Sequence, residues 1–255
     1  MSLQLNLSST RLAKHYADIL IAGDRIAAKN MVDTLMNDGF TAAGLLSDLV
    51  WPTMENLRAP FKEDEISQMQ INLATRLNRQ ITDQLAAKLP MSEPNGRQVL
   101  IFCGNDEPEE LGGQIAADLF ESAGWQVKFG GGGVANDEIL KMVGESRPDL
   151  LVMFATLASG VPHVRKLIDY LREVNCAPGM QVMCCGGIYK RAEGLAEEIG
   201  ADLYAPDAAE AVKVADANRD RRASLDQQSV GRMRRIKKAA ARREERGSDM
   251  RIEAA

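Results

Sequence analysis

The stretch Gly104-Asn-Asp-Glu-Pro-Glu-Glu-Leu-Gly112 places four carboxylates, Asp106, Glu107, Glu109 and Glu110, between two glycines. Acidic residues at that density repel phosphate. At the start of a helix they sit well with the exposed backbone N–H groups and need no ligand. Gly186-Gly187 allows either a tight turn or a close approach of backbone to a bound group. The two histidines, His15 and His163, stand apart in the sequence. Cys103, Cys176, Cys184 and Cys185 lack Cys-x-x-Cys spacing, which excludes the usual zinc pattern and leaves free thiols as the simpler expectation. No nucleophile–base pair is visible, so no catalytic residue, no metal ligand and no independent enzyme activity are expected.

The elements that must position these residues follow from hydrophobic periodicity. Residues from about Ser9 to Leu89 predict helices and hence a bundle. Asp24 is placed to cap a helix that runs to Asp38, with Ile26, Met31, Val32 and Leu35 on one face. Thr41 opens another, with Leu45, Leu46, Leu49 and Val50 inward. A last helix spans about Ile66 to Leu89, with Ile71, Leu73, Leu77, Ile81 and Leu85 as its apolar side. Pro90 to Gly96 has the composition of a linker.

Beyond Gly96 short apolar runs alternate with amphipathic helices. The runs are Gln98–Cys103, Gln126–Phe129, Leu150–Phe154, Gln181–Cys185 and Asp202–Tyr204. The helices are Glu110–Ala123, Asp137–Ser146, Val161–Val174, Ala192–Ile199 and Ala208–Ala217. Repeated βα units predict a doubly wound, five-stranded parallel sheet. Ligands bind beyond the carboxyl ends of such strands, which points to Gly104–Gly112, Ala155–Gly160, Gly186–Tyr189 and Tyr204–Asp207. A dinucleotide is a poor tenant there, because the first βα turn carries four carboxylates in place of a glycine fingerprint. A phosphoacceptor domain would need an aspartate after the third strand, where Phe154-Ala155-Thr156 stands. The glycine run Gly130–Gly133 is expected to be a flexible loop.

Glu107-Pro-Glu109-Glu-Leu-Gly112, Phe154-Ala-Thr-Leu157, Gly186-Gly187 and the segment from Ile199 to Val212 occur in an order that resembles the cobalamin-binding module of methionine synthase, corrinoid methyl carriers and cobalamin-dependent light sensors. Gly112 to Val127 resembles it too, and the likeness covers residues 10–217. The resemblance implies a four-helix-type cap followed by a flavodoxin-like domain, with cobalamin or another tetrapyrrole between them. On the family's Asp/Glu-x-His-x-x-Gly motif, Glu109 takes the place of the histidine that ligates cobalt below. Phe154 or Ala155 takes the place of a serine. In the cap, Phe61 and Ile71-Asn72 take the places of the tryptophan and the Glu-His pair of the light sensors. A carboxylate is a harder donor than imidazole, so a bound corrinoid should lack a protein histidine at cobalt.

These departures lead to the expectation of a non-catalytic ligand-sensing or regulatory protein. Its pocket walls would be Glu107, Glu109, Gly112, Ala155, Thr156, Gly186, Gly187, Tyr204 and Pro206. A corrinoid methyl carrier for methyltransferases and an interaction protein with a vestigial pocket are the alternatives. His163 is either a surface residue or a neighbour of the tetrapyrrole.

The expected domains are a helical cap over 9–89, the α/β unit over 97–217 and a tail over 218–255. Residues 219–255 hold 12 Lys+Arg and 6 Asp+Glu, a net of +6, so residues 1–218 carry −11 of the overall −5. The stretch from Arg232 to Arg246 predicts a basic helix or a solvated extension, with a protein or nucleic acid as its partner. No apolar run is long enough for a bilayer and no leader is evident, so a cytoplasmic protein, monomeric or oligomeric, is expected.

Overall fold

The computed structural model describes residues 2–223, with side chains from residue 11 onward. The basic stretch 232–246 lies outside the described residues. The cap contains α1 (Ser2–Ala22), α2 (Arg25–Asn37), α3 (Ala42–Leu45), α4 (Trp51–Asn56), α5 (Arg58–Lys62) and α6 (Gln68–Ala86). Leu46–Val50 joins α3 to α4 as a π-helical turn. Its caps are local: Asp24 accepts from the N–H groups of Ile26 and Ala27, and Ser67 and Gln70 form a reciprocal capping box. Tyr16 donates to Asn78 at 2.7 Å, and Asn78 donates to Val50 O at 3.2 Å, so this buried polar pair links α1 and α6 to the π-turn.

Two expected apolar positions face outward. Ile26 is 73% and Leu73 37% exposed, because the inward arc of each helix is narrower than its apolar content. Of the helix expected over Ala192–Ile199 only α11 (Leu195–Glu198) forms, starting after Gly194 with its φ of +79°, and a further short helix, α10 (Gly187–Arg191), precedes the expected range.

The α/β unit adds β1 (Gln98–Cys103), α7 (Glu107–Ser122), β2 (Gln126–Gly132), α8 (Asn136–Ser146), β3 (Leu150–Phe154), α9 (Val161–Val174), β4 (Gln181–Cys185), β5 (Leu203–Ala205) and α12 (Ala208–Ala217). The five strands are parallel in the order β2-β1-β3-β4-β5, the doubly wound arrangement expected. Alternate residues of β1 and β3 face opposite layers. Val99, Ile101, Val152 and Phe154 join a core continuous with the cap, and Leu100, Phe102, Leu151 and Met153 join a second core under α8 and α9.

The glycine run is no loop, contrary to expectation. Gly130–Gly132 continue β2, with a register shift opposite Ile101 and Phe102. A Cβ on Gly130 would stand 2.1 Å from the Phe102 ring, and one on Gly132 would stand 2.3 Å from Gly104 O. Close strand packing, not flexibility, requires glycine there. The Pro90–Gly96 segment is likewise tied down: Ser92 N donates to Ser122 O and Asn95 N donates to Gly124 O.

Burial pushes the thiols of Cys103 and Cys184 up to about 12, and raises that of Cys185 well above the ordinary thiol value. Cys103 and Cys176 are partly exposed, whereas Cys184 and Cys185 are buried. A thiol reagent at pH 8 should therefore modify Cys176 first, Cys103 more slowly because its thiolate is disfavoured, and Cys184 and Cys185 only as the protein unfolds. Labelling followed by peptide mass analysis checks this, and early modification of Cys184 or Cys185 would contradict it.

Candidate functional site

The order β2-β1-β3 puts the topological switch point at the carboxyl ends of β1 and β3, where the chain turns in opposite directions. Glu109 bridges the two. The helix α7 begins at Glu107 with Pro108 in its first turn, three residues earlier than expected, which turns Glu109 into the protein. Glu109 is 3% exposed. Its Oε1 accepts from Thr156 N at 2.6 Å, Leu157 N at 2.9 Å and Thr156 Oγ1 at 3.3 Å. Its Oε2 lies 1.8 Å from where a Cβ on Gly104 would be, so Gly104 makes room for this carboxylate. A buried carboxylate is tolerated when such donors replace water.

The cap closes over the same loop. Arg58 of α5 donates from Nη1 to Thr156 Oγ1 at 2.8 Å and approaches Asp106 at 3.8 Å. Arg191 at the end of α10 donates to Thr156 O and pairs with Glu55 of α4 at 3.2 Å. Trp51 meets Phe154 edge to face, with centroids 5.1 Å apart at 82°. Both rings press on Gly112, where a Cβ would lie 2.2 Å from Phe154 and 2.7 Å from Trp51. Glu55 occupies the space above Gly187, 1.9 Å from a Cβ placed there.

The structure thus brings Glu109, Gly112, Ala155, Thr156 and Gly187 together beneath the cap. Ala155 and Thr156 are buried, and Gly186 has φ +109°, with Ala155 O 2.5 Å from where its Cβ would be. Gly186 therefore meets a steric demand of the βα turn. Glu107 stands outside the cluster, exposed and paired with Arg79 at 2.8 Å. Tyr204 on β5 and Pro206 just after it lie at the same carboxyl edge, both partly buried. Sequence reasoning missed Trp51, Glu55, Arg58 and Arg191. No local pattern marks them, because long-range folding alone delivers them to the edge.

His163 is exposed on α9 and His15 exposed on α1. Among the described residues, no group of three or more His, Cys, Asp and Glu could hold a metal ion, and no helix is long and apolar enough to cross a membrane. A separate groove of about 330 Å³ lies at the amino edge of the sheet, lined by residues that include Arg147, Asp149, Cys176 and Met180.

Residues 97–213, which span the α/β unit, match the family model of the B12 binding domain. The chain is 20% identical over 215 residues to monomethylamine corrinoid protein 2 of Methanosarcina mazei, covering 82% of this chain and 98% of that one. It is 27% identical over 126 residues to dimethylamine corrinoid protein 1 of Methanosarcina acetivorans, covering 49% and 58%. The solved monomethylamine corrinoid protein of Methanosarcina barkeri shares the fold with a TM-score of 0.69, at 20% identity, over 81% of this chain and 97% of that one. The helical cap followed by a flavodoxin-like sheet is therefore the fold, as the sequence resemblance implied.

These relatives correct the functional expectation. They are named corrinoid proteins of methylamine systems, and none is named a sensor or regulator, so the ligand-sensing reading is overturned. The expectation rests on residues absent from family motifs, at Glu109, at Phe154 or Ala155, and at Phe61 and Ile71-Asn72, and lost contacts do not define a sensor.

As arranged, the edge does not fit a corrinoid. The carboxylate at the motif's ligand position is turned inward and bound by the Thr156-Leu157 loop. The spaces beside Gly112 and Gly187 are filled by Trp51, Phe154 and Glu55.

Proposed function

We propose that this chain is a corrinoid methyl-carrier protein that works with a methyltransferase and is not an enzyme by itself. The observation that supports it is the cap seated directly on the carboxyl edge of the sheet, together with relatives named corrinoid proteins that match through both parts. A corrinoid would be admitted only with the cap displaced, and it would take no cobalt ligand from Glu109.

The filled edge favours a second reading, an interaction protein that keeps the carrier's shape around a vestigial pocket. Titration with hydroxocobalamin, followed by gel filtration and visible spectroscopy, separates the two. The carrier reading expects colour to elute with the protein, with a spectrum like that of free cobalamin. Colourless protein at saturating cobalamin overturns the carrier and supports the second reading. A protein-imidazole spectrum lost on His163→Ala would overturn the absence of a protein ligand.

A further inference from the structure

Glu109 belongs to the α/β unit, yet its hydrogen bonds determine what the cap can reach. The two loop N–H groups that it accepts from, Thr156 and Leu157, set the orientation of the Thr156 side chain and carbonyl. The Thr156 hydroxyl takes the Arg58 guanidinium from α5, and the Thr156 carbonyl takes Arg191, which holds Glu55 of α4. A single run of polar contacts therefore leads from α7 through the loop after β3 to both cap helices.

Each participant has a partner on the run. Glu109 is fully enclosed, while the Arg58 and Arg191 side chains are 19% and 56% exposed. The inner end is thus shielded from solvent and the outer end is open to competition from water and salt.

We propose that Glu109 is a positioning residue that locks the cap onto the sheet edge: its carboxylate holds the Thr156-Leu157 loop in the conformation that receives Arg58 and Arg191. Without it, the buried Thr156 N–H and the part-buried Leu157 N–H face an empty space the size of a carboxylate, and the loop no longer presents Thr156 to the cap. The lock explains why the edge is closed while keeping the carrier architecture. It goes beyond the carrier reading, and its test uses no corrinoid, so either idea can fail without the other.

The experiment is hydrogen exchange on the full chain, with peptides from α4 and α5 compared with those from α1, α8 and α9. Glu109→Ala should speed exchange in Trp51–Lys62 about tenfold or more, the change that a loss of about 1.4 kcal/mol produces. Formate should slow it again by occupying the vacated donors, whereas chloride at equal ionic strength should not. Arg58→Met, which breaks the run at the cap end only, should speed exchange in the same peptides without any response to formate.

Exchange in α4 and α5 that is unchanged in both variants overturns the proposal. So does a uniform rise across all helices that formate does not reverse, since that is general destabilisation. If Glu109→Ala does not fold, Arg58→Met decides: unchanged α4 and α5 exchange there overturns the lock.

Discussion

Phe154→Ala should lower the unfolding free energy by about 3–5 kcal/mol, the cost of deleting a fully buried aromatic side chain from a packed core. The ring is 1% exposed at the carboxyl end of β3, touches Gly112 of α7, and meets Trp51 of the cap edge to face. It is therefore where strand, helix and cap converge, and its loss should weaken the cap's hold as well as the sheet's core. Urea unfolding followed by tryptophan fluorescence reads both effects. Trp51 lies in the cap and Trp125 packs on Phe120 in the α/β unit, and these are the two tryptophans of the chain. Uncoupling should broaden or split the transition. A single sharp transition shifted by less than about 1 kcal/mol would show that the cavity collapses at little cost and that the ring does not couple the parts.

Asp202→Ala is expected to cost about 1–3 kcal/mol, the usual result of leaving a buried donor without its acceptor, since the paired Arg172 side chain is 38% exposed and can turn to water. Asp202 is 3% exposed just before β5. Its Oδ2 accepts from Arg172 of α9 at 2.7 Å and from Val182 N at the start of β4 at 2.7 Å. Its Oδ1 accepts from Ala223 N at 2.7 Å. One carboxylate thus joins α9, β4 and the segment after α12. That segment is held further by Gln181, which donates to the carbonyls of Asn218 and Arg221, and by Arg222, which donates to Gly179 O. Its loss leaves the Val182 N–H buried without a partner. Tryptic cleavage at Arg219, Arg221 and Arg222 should accelerate together with the fall in stability, and Asp202→Asn should recover part of both. A fall in stability with no change in cleavage at these arginines would show that Asp202 does not anchor the segment.

Much of the fold was legible because it rests on local rules. β1, β3 and β4 have the expected bounds, since continuous apolar runs between turn residues mark strands buried on both faces. The helices α9 and α12 agree for the same kind of reason, as periodicity and N-terminal chemistry coincide there. The misreadings lie where a distant group overrides a local rule. Gly130–Gly132 read as a loop until the Phe102 ring and the Gly104 carbonyl supplied the reason for glycine. Ile26 and Leu73 fit the helical period but fall at the edge of the buried arc.

At the site, the sequence alone determined that an acidic turn follows β1, that Gly186-Gly187 follows β4, and that Glu109 stands where the resemblance implies histidine. Residue types and their spacing suffice for that. Only the tertiary structure decided what Glu109 does. Its burial, the two loop N–H groups it satisfies and the arrival of Arg58, Glu55 and Arg191 depend on contacts between residues 35 to 136 positions apart. A buried carboxylate must find donors wherever the fold brings them, and that constraint acts in space, with no imprint on neighbouring residues in the chain.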